Sequence, residues 1–369
     1  EIYTLSLHYS LPIYIERFSE LGYRLHASVT GASFSRFDEV ADLQVGNSTA
    51  YLQLNGTDSR SDDYEDGDGN SVHSEYHRYS GLAALGWTPN DDSKVEFSIA
   101  RSDGEAAYAD RSMDGTKFLR DSLNFRAERK NINDYINEIK FHVYDNSVDH
   151  SMDDQELRKP GMMGYANLKR ETNGGKLSSK LLFGPRVALA VGLATQQNTH
   201  ESRSASVNGN YSAWADDADI EQLGVFAELA YSLSASQKLV SGYRFDQWEA
   251  TDNRSRIGSG MMGSVVNPTA NQTRNDDLSS AFGRYEWSVA PTTLYVGFGH
   301  SERFPDYWEL IAKESKTSIS SFHINPEKTD QWDFGAIYKT RQLDISASVF
   351  YNKVDDFILV DYSNSMKMN

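Results

Sequence analysis

Cysteine is absent from this chain of 369 residues, so no disulfide closes it and no thiolate of its own can hold a metal. Long apolar runs are absent too, and none approaches the roughly 20 residues that a membrane-crossing helix requires. Residues 1–18 lack the basic start, apolar middle and small-residue end of a secretory signal, which reads as a mature chain or a fragment of one. Basic residues are scarce, 36 Lys and Arg against 53 Asp and Glu, and the net charge of -17 argues against nucleic acid and for cationic partners. The histidines at 8, 26, 73, 77, 142, 200, 300 and 323 form no His-Glu-x-x-His or His-x-His cluster, and no glycine-rich phosphate loop follows a strand. A barrel enzyme would need a histidine with a serine, or paired carboxylates, near the outer rim. His300 with Asp306 and Glu309 is all the chain offers, so catalysis is not expected.

What the chain has is alternation. Val95, Phe97 and Ile99 interleave with Glu96, Ser98 and Ala100, and Ile139, Phe141 and Val143 with Lys140, His142 and Tyr144. Leu223, Val225, Ala227 and Leu229, and later Leu343, Ile345, Ala347 and Val349, repeat the pattern. Side chains two apart share a strand face, so one face is greasy and the other polar or small. A soluble sandwich has the same pattern with its greasy face inward. Length separates the two: several segments outrun the common strand of about 5–6 residues and reach the roughly 9–11 that a tilted strand needs to cross a bilayer. The links alternate as well. Gly46-Asn47-Ser48, Pro89-Asn90-Asp91-Asp92, Gly184-Pro185, Ser234-Ala235-Ser236 and Pro291 are short, whereas 59–72, 109–118, 151–163, 201–217, 254–276 and 304–326 are long and polar. Short turns on one rim and long loops on the other predict an all-β fold, a transmembrane antiparallel β-barrel of about 15 strands in a bacterial outer membrane. Aromatic residues, at 12% with 21 Tyr, suit the interfacial belts of such a wall. A closed single-chain barrel needs an even count, so with a last strand at 343–359 the barrel is expected to be cut short there.

The runs SERFPDYWEL (301–310), INPEKTDQWDFG (324–335) and VFYNKVDDFI (349–358), in that order, resemble the C-terminal half of TonB-dependent outer-membrane receptors. The FPDYWEL form, with DYEDGDGN at 63–70 and VDHSMD at 148–153, is similar to the copper-receptor branch of that family. The resemblance runs from about Gly22 almost to the end. It implies a barrel of about 22 strands filled by an N-terminal plug, of which about seven strands and the plug lie outside this sequence. It also implies energy coupling to TonB through a segment ahead of the plug, and import of copper; import of a siderophore or other metallophore is the alternative. The expected division is a boundary segment at 1–21 and an incomplete barrel domain at 22–369, acting as a monomer among outer-membrane lipid and lipopolysaccharide.

His150 and Met152 are two residues apart and point the same way in an extended segment. An imidazole and a thioether on one face are half of a soft-metal site, because thioethers select Cu(I) over hard cations. The resemblance implies that this pair ligates copper, completed by sulfur ligands from the plug. The eight methionines, at 113, 152, 162, 163, 261, 262, 366 and 368, all fall in or beside long loops, which suits stepwise capture of a soft cation. The acidic loop at 58–70 carries Asp66, Asp68 and Asn70 at the alternate spacing of a calcium loop, but Ser71 stands where an EF-hand has glycine. Solvation is the expected state of this loop, with loose Ca²⁺ bridging to lipopolysaccharide as its metal-binding reading. A rim this acidic repels anionic siderophore complexes and concentrates cations.

Overall fold

The computed structural model describes residues 18–158, 164–206, 209–257, 265–311 and 322–359. The strands are β1 (Gly22–Gly31), β2 (Phe37–Gly46), β3 (Ala50–Ser61), β4 (Tyr64–Glu65), β5 (Ser71–Val72), β6 (Tyr76–Asn90), β7 (Ser93–Ala106), β8 (Asp114–Lys130) and β9 (Ile136–Asp153). They continue with β10 (Tyr165–Phe183), β11 (Val187–Ala205), β12 (Ala215–Ser232), β13 (Gln237–Asp252), β14 (Arg256–Ile257), β15 (Val265–Val266), β16 (Gln272–Val289), β17 (Thr292–Arg303), β18 (Glu327–Lys339) and β19 (Asp344–Asp355). Apart from the small hairpins β4-β5 and β14-β15, they form one 15-stranded sheet in chain order. Its neighbours are all antiparallel, as a meander joined by alternating turns and loops requires.

The two faces of this sheet decide its environment. On one face large apolar side chains stand open: Leu25 is 64% exposed, Leu85 61% and Val225 53%. On the other, polar groups bond across strands: Gln53 Nε2 donates to Asp42 Oδ2 at 3.0 Å, Tyr144 Oη to Gln196 Oε1 at 2.9 Å, and Gln222 Nε2 to Asp246 Oδ1 at 2.8 Å. A soluble sandwich would bury the first face. Leaving it in water forfeits about 1.5–3 kcal/mol for each large side chain, whereas hydrocarbon accommodates it. Trp87, Phe183, Trp287 and Tyr338 sit on the apolar face at the short-turn ends of their strands, where an aromatic belt belongs. On the polar face, rings from neighbouring strands cover glycines. A Cβ on Gly86 would lie 2.0 Å from Tyr51 Cζ, and one on Gly335 2.2 Å from Tyr295 Cζ.

The strands overshoot the expected loops. The link expected at 201–217 shrinks because β11 runs to Ala205 and β12 starts at Ala215, and the one expected at 109–118 becomes 107–113. The last strand ends at Asp355 rather than near Leu359. Polarity does not stop a ladder once both partners are polar: Thr199 Oγ1 donates to Asp219 Oδ1 at 3.0 Å and Ser202 Oγ to Asp217 Oδ1 at 2.9 Å.

The principal apolar core among the described residues lies inside the wall. After β17 the chain turns in and forms a single helical turn, α1 (Tyr307–Ile311). Glu309 reaches back to the start of the turn, with Asp306 N donating to Glu309 Oε2 at 2.6 Å, Tyr307 N to Asp306 Oδ1 at 2.8 Å and Leu310 N to Asp306 O at 3.0 Å. Arg303 grips both oxygens of Glu309, at 2.8 and 3.1 Å. This turn packs Tyr307, Leu310 and Ile311, with Phe322, onto Ala218, Ile220, Trp248 and Ala250 of the inner wall. Phe304 stacks on Trp248 with ring centroids 4.1 Å apart, and Arg274 Nη1 donates to the carbonyls of Phe322 and Ile324 at 3.0 and 2.6 Å.

Candidate metal site

His150 and Met152 lie near the outer end of β9, in its last turn of alternation before the loop. Its register runs unbroken from His142 to Met152, so both share the face of His142 and Tyr144, opposite the exposed Phe141 and Val143. They therefore face the interior of the wall. The imidazole of His150 stacks on Phe118 of β8, directly across the ladder, with centroids 4.6 Å apart and planes 25° apart. Its Nε2 is buried and has no hydrogen-bond partner. Its carbonyl accepts from Asn167 Nδ2 at 3.1 Å.

The carboxylates around this pair are committed elsewhere. Asp149, on the outer face, accepts from Lys117 Nζ and Asn167 Nδ2, both at 2.6 Å. Asp153 accepts from Thr116 Oγ1 at 2.6 Å and from the amides of Gln155 and Glu156 at 2.8 and 2.9 Å. Asp114 is fully buried: Arg158 Nε donates to it at 2.7 Å, His73 Nε2 and Tyr108 N at 2.9 Å each, and Arg158 Nη2 closes the fork. Arg158 also donates to the carbonyls of Arg111 and Tyr108 at 2.9 and 3.0 Å. The Asp114 carboxylate raises the Arg158 guanidinium above its ordinary value. Three loops, those after β3, β7 and β9, thus meet at one carboxylate. Arg158→Ala strands that carboxylate. Its expected cost is about 3 kcal/mol, the low end for a broken buried pair, because the guanidinium is 23% exposed. Faster amide exchange confined to 107–113 and 154–158 is the expected reading, and unchanged exchange there refutes it.

The other expected residues fall apart. His142 shares the face of His150, but it donates to Asn124 Oδ1 at 3.1 Å and stands eight residues lower on the same strand, about 26 Å at strand rise. Met113 and Met152 flank the long-loop rim, and the other six methionines lie outside the described residues. The calcium reading of 58–70 gives way to a hairpin, β4-β5. Asp66 Oδ1 accepts from the amides of Asp68 and Asn70, both at 2.9 Å, while Gly69 takes φ of +81° at the turn. Those backbone donors hold the Asp66 carboxyl below its ordinary value and give it a turn-capping role. His300 Nδ1 pairs with Asp330 at 2.6 Å, away from Asp306 and Glu309, which build α1. Among the described residues no three His, Asp or Glu side chains gather as a metal cluster. Phe118, Gly115 and Asn167 were not legible from spacing, since only strand pairing brings them to His150.

The chain matches the family model described as TonB dependent receptor-like, beta-barrel, over residues 52–368. Among solved structures it is similar to the copper transporter OprC, at 40% identity and a TM-score of 0.87, over 93% of this chain and 55% of that one. It is also similar to a double mutant of the Serratia marcescens hemophore receptor HasR in complex with its hemophore HasA and heme. That likeness has 17% identity and a TM-score of 0.72, over 92% of this chain and 55% of that one. The open form of the ferric-catecholate import receptor Fiu from E. coli K12 matches at 12% identity and 0.68, over 92% and 60%. At such identities the last two show the fold alone. The chain spans little more than half the length of these proteins. No curated protein sequence matches it.

Proposed function

The chain belongs to the TonB-dependent receptor β-barrel family of bacterial outer membranes, and from that premise we propose that it is the wall of a receptor that imports copper. The observation that carries this reading is the pairing on one inner face of Met152 with an imidazole whose Nε2 is buried and unpartnered. An orphaned buried nitrogen costs stability unless something binds it. The nearby carboxylates, Asp114, Asp149 and Asp153, are saturated by Arg158, Lys117, Asn167 and Thr116, so nitrogen and sulfur are the donors left. That set suits a soft ion. The likeness to a copper transporter supports the same cargo.

Copper is the transported substrate, and its handling is capture. Acidic loops raise the local cation concentration. His150 and Met152 bind the ion on the inner wall, and donors from a plug complete its coordination. Energy coupled through TonB then loosens the plug and releases the ion inward. Outer-leaflet lipid and lipopolysaccharide surround the wall of a receptor that acts as a monomer.

The test is metal content by mass spectrometry of the full-length receptor purified from outer membranes, with and without added copper. About one tightly held copper per chain is expected, as one soft-donor site predicts. A receptor without copper that carries an iron chelate instead would overturn the copper reading in favour of siderophore or metallophore import.

A further inference from the structure

Phe118 and His150 form a directly opposed pair across β8 and β9 on the interior face, and their rings stack at 4.6 Å and 25°. Room for the phenyl ring is built into the backbone. A Cβ on Gly115 would lie 2.1 Å from Phe118 Cζ, and Gly115 is the residue that register sets opposite Met152. Phe118 is itself anchored, its amide donating to Asp103 Oδ1 at 3.0 Å. On the far side of β9, Asn167 is 1% exposed and holds the His150 carbonyl at 3.1 Å. The imidazole is thus fixed in plane by a ring and in height by a main-chain bond, while its Nε2 is left without a partner. The ring is held by packing and not by a hydrogen bond through Nε2.

Resting on the copper reading above, we propose that Phe118 is a positioning residue for metal capture: it sets the ring plane of His150 so that the imidazole meets the ion in the orientation that Met152 shares. Phe118 donates no atom to the metal and acts through His150. Gly115 belongs to the same device, because any larger residue there displaces the phenyl ring. Preorganising a ligand reduces the ordering cost of binding, and partners that orient metal ligands are typically worth about 10–100-fold in affinity.

The experiment uses the full-length receptor and Cu(I) buffered by a competing chelator. Phe118→Leu, which keeps apolar bulk but removes the ring, is expected to weaken Cu(I) binding about tenfold. Gly115→Ala, which leaves residues 118 and 150 unsubstituted but displaces the Phe118 ring, is expected to act in the same direction. Phe118→Tyr restores the stacking plane and is expected to stay within about twofold of the parent. X-ray absorption separates positioning from general damage: the imidazole scattering of bound Cu(I) should broaden or fade in Phe118→Leu and persist in Phe118→Tyr. Undiminished affinity and imidazole scattering in Phe118→Leu overturn the positioning role alone. A parent receptor that binds no Cu(I) overturns the copper reading and this inference together, so the two failures are told apart by the parent measurement.

Discussion

Replacing His150 and Met152 together by Ala is expected to leave the full-length receptor folded and free of tightly bound copper. The two side chains are the barrel's contribution to the proposed donor set, and the neighbouring carboxylates are tied into ion pairs and turn caps that do not free themselves to substitute. Loss of a partner that only orients a ligand typically costs about 10–100-fold, so loss of two ligands should exceed about 100-fold. The structural penalty is small by comparison. The His150 ring makes no hydrogen bond through Nε2, and removal of its stack on Phe118 costs about 0.5–1.5 kcal/mol beyond burial. Copper stoichiometry by mass spectrometry and competition titration with a Cu(I) chelator measure the effect, with heat-modifiable mobility as the folding control. Retained copper in the double variant would remove both residues from the site.

The largest stability effect is expected at the inward-folded turn after β17. Phe322 is fully buried and Leu310 is 1% exposed, and both pack on the wall residues Ala218, Trp248 and Ala250. Phe322→Ala should cost about 3–5 kcal/mol and Leu310→Ala about 2–5, from lost transfer energy and the cavity left behind. The cost is local, because the barrel strands are held by their own ladders. Hydrogen exchange and limited proteolysis should show opening of 304–311 and 322–326 with β6 to β10 unchanged. Trp308, 49% exposed on the same turn, is the control: Trp308→Ala should open nothing. If Phe322→Ala left these segments as protected as in the parent, the turn would be held by Arg274 and Arg303 rather than by its apolar packing.

Strand number and the greasy and polar faces were readable in the sequence, because a side-chain period of two is a local property and the bilayer imposes opposite chemistry on the two faces. The loop limits were not. Ser202 and Asp217, inside the expected 201–217 loop, are strand, because the hydroxyl of one and the carboxylate of the other satisfy each other across the ladder. Asp66, Asp68 and Asn70 had the spacing of a cation loop, yet backbone amides two and four residues on claim the Asp66 carboxylate first. Asp306 and Glu309 read only as candidate catalytic carboxylates, whereas they begin a helical turn whose inward fold depends on Trp248 and Ala218, on strands remote in sequence.

By itself, then, the sequence determined an outer-membrane wall of alternating faces and put His150 and Met152 on the same one of them. Only the tertiary structure decided that the His150 ring stacks on Phe118, that its main chain hangs from Asn167, and that the carboxylates of Asp114, Asp149 and Asp153 are already bonded. The reason is physical. Which residues share a face follows from the strand's own pleat, whereas which residues touch follows from register between strands, and register is set by pairing along the whole sheet.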